Sequence, residues 1–342
     1  MGNVKKRPDG KWRARYRDQS GKEHARHFSR KVDADRWLST VESDLLRGTY
    51  VDPRAGRVTF KEYAERWRVG QVHRRTTRAQ VETHLRKNAY PTFGDRPIAS
   101  VLPSDVQAWV NLLANGGPGR PALAGSTVKV VYRYVSAVFR AAVRDRLITA
   151  SPCIGISLPK IRRARVEPIT TEAVRALAAA MPERYAALVI LGAGSGERQG
   201  EAFGLEVEHV DFLRRTLRVC QQLVLMPNEE PYIGPLKTEA SYRTIPLPQV
   251  VVEALAAHIA AFPPGDVKMV DVTRGPEPVT RTARLVFTDE GGRALRRTSF
   301  SRLAWVEARS RAGLPASVTF HDYADPRVMP TLAADRLACL GS

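Results

Sequence analysis

Apolar and charged residues alternate near the start of the chain. Trp12, Ala14 and Tyr16 interleave with Lys11, Arg13, Arg15 and Arg17, a period of two that predicts a β-strand with one packed face and one cationic face. Asp18-Gln19-Ser20-Gly21 supplies turn chemistry before a second strand ending near Phe28. From Val32 to Leu46 the period becomes helical, with Ala34, Trp37, Leu38, Val41 and Leu45 on one face, Ser29 or Asp33 as candidate caps and Gly48 past the end. Residues 1–50 are therefore expected to form a small three-stranded sheet carrying one helix. Gly48 to Arg57, with Pro53 and Gly56, reads as a linker. Thr59 and Glu62 then stand in a capping-box arrangement that opens a helix. Helical spacing recurs over 74–87, 103–113 and 126–146, broken by Pro91-Thr92-Phe93-Gly94 and Gly116-Gly117-Pro118-Gly119, which predicts an all-α bundle over 58–152. Residues 153–168 hold Lys160, Arg162, Arg163 and Arg165 among prolines and read as a basic linker. Beyond it, helical patterns at 171–181, 185–194, 251–262 and 296–312 enclose strand patterns between 210 and 247. The fold class is multidomain, with a mixed α+β, mainly helical third domain over 169–322.

Charge narrows the partner. Lys and Arg number 54 against 35 Asp and Glu, giving a formal charge of +19 and a pI near 10.3, so a polyanion is expected to bind. A β-surface like that of residues 11–17 fits the width of a DNA major groove. The candidate DNA-binding residues are Lys11, Arg13, Arg15, Arg17, Arg74, Arg75, Arg133, Lys160, Arg162 and Arg163, although solvated faces account equally for part of such charge. No run of about 18 apolar residues occurs and the basic N-terminus lacks an apolar signal core, so the cytoplasm is expected and no membrane association is. Cys153, Cys220 and Cys339 are far apart and lack CxxC spacing, which indicates neither a disulfide framework nor a zinc site. His24 and His27 have metal-like spacing without an acidic or cysteine companion in their strand, a poor metal set.

Three short segments carry chemistry. Gly196-Glu197-Arg198-Gln199-Gly200-Glu201 puts an arginine behind a glycine-rich turn at the start of a helix, where it can grip a phosphate. Pro235-Leu236-Lys237 places a lysine at the expected tip of a hairpin, ahead of Ser241-Tyr242-Arg243-Thr244-Ile245-Pro246-Leu247, and His321-Asp322 follows. Arginine, lysine and histidine suit phosphoryl transfer: a guanidinium fork matches two oxygens at once, and the other two can move protons. Glu201, three residues after Arg198, shares its helical face and would fix the guanidinium, though the same spacing suits a plain surface pair. Taken singly, Lys237 also fits a solvated turn and His321 a loop or core histidine. The glycines at 192–196 match neither dinucleotide-binding nor P-loop spacing, which argues against a nucleotide cofactor.

Together these segments resemble a tyrosine recombinase, specifically an integrase of the phage and mobile-element kind, over almost the whole chain. Gly196, Arg198 and Glu201 fall on that family's Gly-x-Arg-x-x-Glu pattern, while Lys237, Ser241, Arg243, Ile245, Pro246 and Leu247 fall on its lysine hairpin. The resemblance implies an arm-type DNA-binding domain at 1–50, a core-binding domain at 58–152 and a catalytic domain at 169–322. It implies attack of a tyrosine hydroxyl on a phosphodiester, giving a 3′-phosphotyrosyl link and a free 5′-hydroxyl. Arg198 would stabilise the growing charge, Lys237 would protonate the leaving oxygen, His321 would assist proton traffic or hold a phosphate oxygen, and Arg243 would join the DNA-binding set. Double-stranded DNA at attachment sites and self-association to a tetramer are the implied partners. Cofactors are not expected, because the covalent link stores the phosphodiester's energy, and no metal is implied.

The pattern then departs from the family. Where its third signature reads His-x-x-Arg, this chain has His321-Asp322-Tyr323-Ala324, so Ala324 replaces the second arginine. Residues 323–342 contain no helix pattern, no further His or Trp, and no tyrosine except Tyr323, which lies inside the signature rather than downstream of it. The expectation is a C-terminally incomplete catalytic domain with an aberrant tail, arising from a frameshift near residue 322 or a premature stop, and an inactive or severely impaired enzyme. The alternative is a non-catalytic DNA-binding remnant or regulator occupying attachment sites.

Residues 1–47 alone are expected to retain duplex DNA, with affinity falling steeply as salt rises, because several phosphates would be neutralised by one sheet face. A titration of that fragment with no retention even at low ionic strength would count against the assignment.

Overall fold

Alternation at residues 12–17 produces the strand it predicts. In a computed structural model, β1 (Asn3–Lys6), β2 (Trp12–Arg17) and β3 (Glu23–Phe28) form an antiparallel sheet in that order. The structure describes residues 2–18, 21–48, 50–52, 54–161, 169–226, 229–275 and 277–320. The register sets Arg13 opposite Lys5 and His27, Arg15 opposite Asn3 and Ala25, and Arg17 opposite Glu23, so these residues share one face. The other face turns Ala14 and Tyr16 inward, where Tyr16 packs with Leu38 and Val41 of α1 (Lys31–Arg47). Tyr16 also stacks on His24 with ring centroids 5.1 Å apart, and His24 Nε2 bonds Asp18 Oδ2 at 2.7 Å, which gives that histidine a structural partner. Neither expected cap is used at α1. Arg30 precedes the helix in extended conformation without a side-chain cap, and Asp33 lies inside the first turn, where its charge complements the helix dipole. Gly48 ends α1 at φ 71°, returning its N–H to the carbonyls of Asp44 and Leu45.

The chain divides into two units, 1–163 and 164–342. The rest of the first unit is helical: α2 (Phe60–Val69), α3 (Arg75–His84), α4 (Tyr90–Phe93), α5 (Pro103–Asn115) and α6 (Gly125–Arg144). Thr59 and Glu62 form the expected capping box, the Thr59 hydroxyl accepting from Glu62 N at 3.2 Å and Glu62 Oε2 accepting from Thr59 N at 3.0 Å. Pro91 does not break the helix where the sequence suggests. A wider turn at Leu85–Ala89, with Tyr90 N–H reaching back to the Leu85 carbonyl, leads into α4, whose first turn has no need of the N–H that proline lacks. On α6, Val128, Val131, Val135, Val138 and Phe139 are buried and Arg133 faces solvent. Phe60, Phe93, Phe139 and Trp109 form an aromatic core with centroids 5.2–5.8 Å apart, each such pair adding about 0.5–1.5 kcal/mol beyond its buried area.

The second unit surrounds two small sheets with helices α7 (Thr171–Ala180), α8 (Glu183–Ser195), α9 (Gln199–Phe203), α10 (Gln249–Ala261), α11 (Arg297–Phe300) and α12 (Val306–Arg311). One sheet has the order β4-β5-β8 (Val210–Asp211, Thr216–Val219, Arg243–Pro246). The other has the order β10-β9-β7-β6 (Val279–Leu285, Gly265–Asp271, Tyr232–Gly234, Gln222–Val224). Pairing of β6 with β7 and of β5 with β8 makes a single interrupted hairpin whose two arms each change sheet midway. The long hairpin β9–β10 is not legible in the sequence because two of its inward positions are charged. Asp271 is fully buried and Arg281 largely so; Arg281 Nε donates to Asp271 Oδ2 at 2.6 Å and its Nη1 to Glu206 Oε2 at 2.9 Å. Burial disfavours ionised Glu206, yet hydrogen bonds from Arg281 and Gln221 outweigh it and hold the carboxyl below its ordinary range.

Helix α9 lies directly on β6. A methyl group at Gly204 would stand 2.8 Å from Leu223 N and 3.0 Å from the Gln222 carbonyl carbon, and one at Gly200 would stand 3.1 Å from the Leu223 oxygen. These backbones cannot yield as a side chain can. Gly204→Ala should therefore destabilise the chain by about 1–3 kcal/mol. Gly70→Ala, at an ordinary helical φ of −74° with its nearest neighbour at 3.6 Å, should shift stability by no more than about 0.5 kcal/mol. Urea unfolding of both variants checks the contrast, and equal midpoints would refute it.

Candidate active site

The site begins where α8 stops. Gly196 adopts φ 65°, ψ 25°, a left-handed conformation that costs other residues about 1–2 kcal/mol, and its N–H returns to the Gly192 carbonyl at 3.0 Å. That turn frees the chain to become extended at Arg198, which immediately precedes α9. Arg198 is thus fixed at its backbone while 52% of its side chain stays exposed.

Beneath it lies Glu201, with only 2% of its side chain exposed. Its carboxylate accepts three hydrogen bonds: from Arg198 N at 3.1 Å, from Arg198 Nη1 at 2.9 Å and from Arg243 Nη2 at 2.9 Å. Arg243 Nη1 also donates to the Ser241 carbonyl at 2.9 Å, while the Ser241 hydroxyl lies 3.4 Å from Arg198 Nη1 and 2.9 Å from Thr238 Oγ1. One buried carboxylate therefore ties together the helix start, the loop before β8, and β8 itself. Glu197, on the other side of Arg198 in sequence, is fully buried, and its carboxyl is pushed up to about 8, first by burial and then by the Glu201 charge. Near neutral pH it is therefore mainly protonated, and the negative charge facing the two guanidiniums is that of Glu201. The Ser195 hydroxyl lies 3.3 Å from Glu197 Oε2.

Lys237 is exposed, but not at a hairpin tip. The turn of the hairpin falls between the paired strands β6 and β7, and the lysine sits in the interruption of the returning arm between β7 and β8. The arms change sheets here, so the backbone leaves the ladder and turns through Glu239–Ser241. Buried Leu236 anchors the segment immediately before the lysine. Phe320, next to the histidine signature, packs against Phe203 at the end of α9 with centroids 6.3 Å apart. His321 and Ala324 lie outside the described residues, as do Arg162 and Arg163.

The structure gathers Arg198, Glu201 and Arg243; apart from Lys237, the other described basic residues singled out in sequence belong to the first unit. Lys11, Arg13, Arg15 and Arg17 belong to β2 or the turn before it; Arg74 and Arg75 are exposed at the start of α3, Arg133 is exposed on α6, and Lys160 is exposed near the end of the first unit. Sequence reasoning placed Arg243 among the DNA contacts and missed its bond to Glu201, and it gave no role to Glu197 or Thr238. The distance of 42 residues between Arg243 and Glu201 left no periodic signal to find. Glu206, Glu208 and His209 bring potential metal-ligand atoms within 4.8 Å of one another, but both Glu206 oxygens already accept from Arg281, which supplies the balancing charge.

Residues 1–47 match the family described as phage integrase, N-terminal domain, and residues 60–159 match phage integrase central domain. The chain is 29% identical over 283 residues to the integrase of Mycobacterium phage FRAT1, covering 79% of this chain and 78% of that protein. It is 25% identical over 327 residues to a XerC-like tyrosine recombinase of Caldanaerobacter subterraneus, covering 87% and 79%. Among solved structures, the Tn1549 transposon integrase in complex with circular intermediate DNA aligns with TM-score 0.65 at 18% identity, covering 81% of this chain and 91% of that one. A lambda integrase tetramer bound to a Holliday junction aligns with TM-score 0.56 at 16% identity, covering 98% and 93%. The sheet with one helix and the helical bundle fall in the two matched regions, and the chain belongs to the tyrosine recombinase family, among the phage integrases.

Proposed function

We propose that this protein binds double-stranded DNA at attachment sites, with the solvent-facing side of the N-terminal sheet on one site type and the helical bundle and second unit on another. The observation that carries the reading is the Glu201 tether, which fixes Arg198 by backbone and side chain and leaves half of that side chain open to a phosphate. A guanidinium held in this way is a preorganised donor for the charge that develops in phosphoryl transfer, usually the largest single catalytic contribution. In the reaction proposed for the complete site, a tyrosine hydroxyl attacks the scissile phosphorus and its proton leaves to a base. The P–O5′ bond breaks as the P–O(Tyr) bond forms, and Lys237 donates a proton to the departing 5′-oxygen. His321 would share the proton traffic. Assembly as a tetramer joining two duplexes is part of the same proposal, supported by the likeness to the lambda integrase tetramer.

For this 342-residue chain the proposal is binding without cleavage. Ala324 stands in the position of the second arginine, and Tyr323 lies within the histidine signature rather than downstream of it. That substitution favours the second reading, a DNA-binding remnant or regulator that occupies attachment sites.

The chain should retain duplex DNA but form no covalent adduct on a nicked suicide substrate. A phosphotyrosyl adduct mapped to any of its tyrosines would refute the non-cleaving assignment. Fusing a family-like segment, with the missing arginine and a tyrosine, in place of residues 323–342 should create the adduct. In that fusion Arg198→Ala should suppress cleavage by about 10²-fold or more with binding largely kept. Lys237→Ala should be rescued by a substrate with sulfur at the leaving 5′ position, since a thiolate departs without a proton. Failure of that rescue would remove Lys237 from the role of acid.

A further inference from the structure

One carboxylate lies where its charge is out of place. On the solvent-facing side of the N-terminal sheet, Glu23 stands among Arg13, Arg15 and Arg17, its oxygens 3.4, 3.8 and 3.9 Å from their guanidiniums, and it is the only acid among the described strand residues of that face. Phosphates repel it and it neutralises part of the charge that attracts them, so it lowers affinity for DNA in general. It is also accessible, with 37% of its side chain exposed. Its neighbour on the same strand and face is Ala25, whose methyl group leaves space beside the carboxylate. Two of the arginines are fastened to the sheet independently of it: Arg15 Nε donates to Asn3 Oδ1 at 3.0 Å and Arg17 Nη1 to the Gly21 carbonyl at 2.9 Å. Glu23 is thus set among three forks, two of which hold their places without it while Arg13 donates to it at 3.4 Å, an arrangement that costs non-specific affinity and suits a ligand offering a donor.

We propose that Glu23 reads a base, accepting a hydrogen bond from the N4 amino group of a cytosine in the major groove while the flanking arginines take guanine edges or phosphates. This rests on the reading above that this sheet face binds DNA. Cytosine N4 and adenine N6 are the two amino donors in that groove, and adenine sets the acceptor N7 beside its donor, which repels a carboxylate; cytosine does not. Arginine meanwhile pairs with guanine O6 and N7, so alternating Arg and Glu side chains suit a run of G·C pairs.

The test is selection of duplexes from a randomised pool by the full chain, by Glu23→Gln and Glu23→Asp, and by the double variant Arg13→Ala/Arg15→Ala. The expected wild-type motif contains a fixed cytosine and is lost in the arginine variant. Glu23→Gln should lower the preference for that cytosine about 10-fold or more and raise adenine there, because an amide can both donate and accept. The shorter Glu23→Asp should lose the same preference while keeping the charge. An unchanged cytosine column in both Glu23 variants, or a uniform rise in affinity for all duplexes with no column altered, would overturn the proposal while leaving the face as a DNA-binding surface. A motif that survives the arginine variant would overturn the DNA-binding reading of the face, and this proposal with it.

Discussion

The buried carboxylate of Glu201 is the interaction on which the second unit's chemistry depends. Taking a charge out of water costs several kcal/mol, and it is tolerated here because three donors converge on the two oxygens. Its removal would leave Arg243 with only the Ser241 carbonyl and Arg198 with only the more distant Ser241 hydroxyl to hold their guanidiniums. The two arginines differ in how they are held. Arg243 is the less exposed and is bonded a second time to the Ser241 carbonyl. Arg198 keeps 52% of its side chain exposed. The raised Glu197 carboxyl belongs to the same balance, because burial and the Glu201 charge both disfavour a second ionised carboxylate in that space.

What holds Glu201 in place is backbone contact. A helix of five residues is too short to persist by its own hydrogen bonds, since nucleation alone is unfavourable. It is held at one end by the left-handed turn of Gly196 and along its side by Gly200 and Gly204 against β6. The glycines around Arg198, which read in sequence as a turn behind that arginine, therefore also serve close packing. The arginine owes its fixed position to main chain touching main chain, with few side-chain rotamers able to intervene.

Periodicity is informative wherever one physical rule acts alone. The period of two at residues 12–17 gives the strand and its cationic face, Thr59 and Glu62 give a helix start, and the spacing of Arg198 and Glu201 gives their pairing. It fails where tertiary contacts override the local rule. Pro91 is tolerated because a wider turn precedes it, and β9–β10 is hidden because a buried ion pair occupies positions where an apolar alternation is sought. Lys237 reads as a tip residue because a hairpin with two sheet-changing arms cannot be told from a simple one by its strands alone. The bond between Arg243 and Glu201 is not legible because the two residues lie 42 positions apart. The function class comes from two motifs in the right order, a matter of resemblance rather than of periodicity.

The ion pair inside β9–β10 has a consequence for how that hairpin can vary. Slipping its register by one residue would turn Asp271 and Arg281 to the outside and leave Glu206 buried without its partner. An apolar hairpin could relax into a neighbouring register after a length change, but this one is keyed. Single-residue insertions within either arm are penalised, and the key reaches into the start of the connection, where the Thr273 amide and hydroxyl donate to Asp271 and Arg274 pairs with it. Grafting of a reporter peptide into this unit is therefore best kept away from both arms and from residues 272–274.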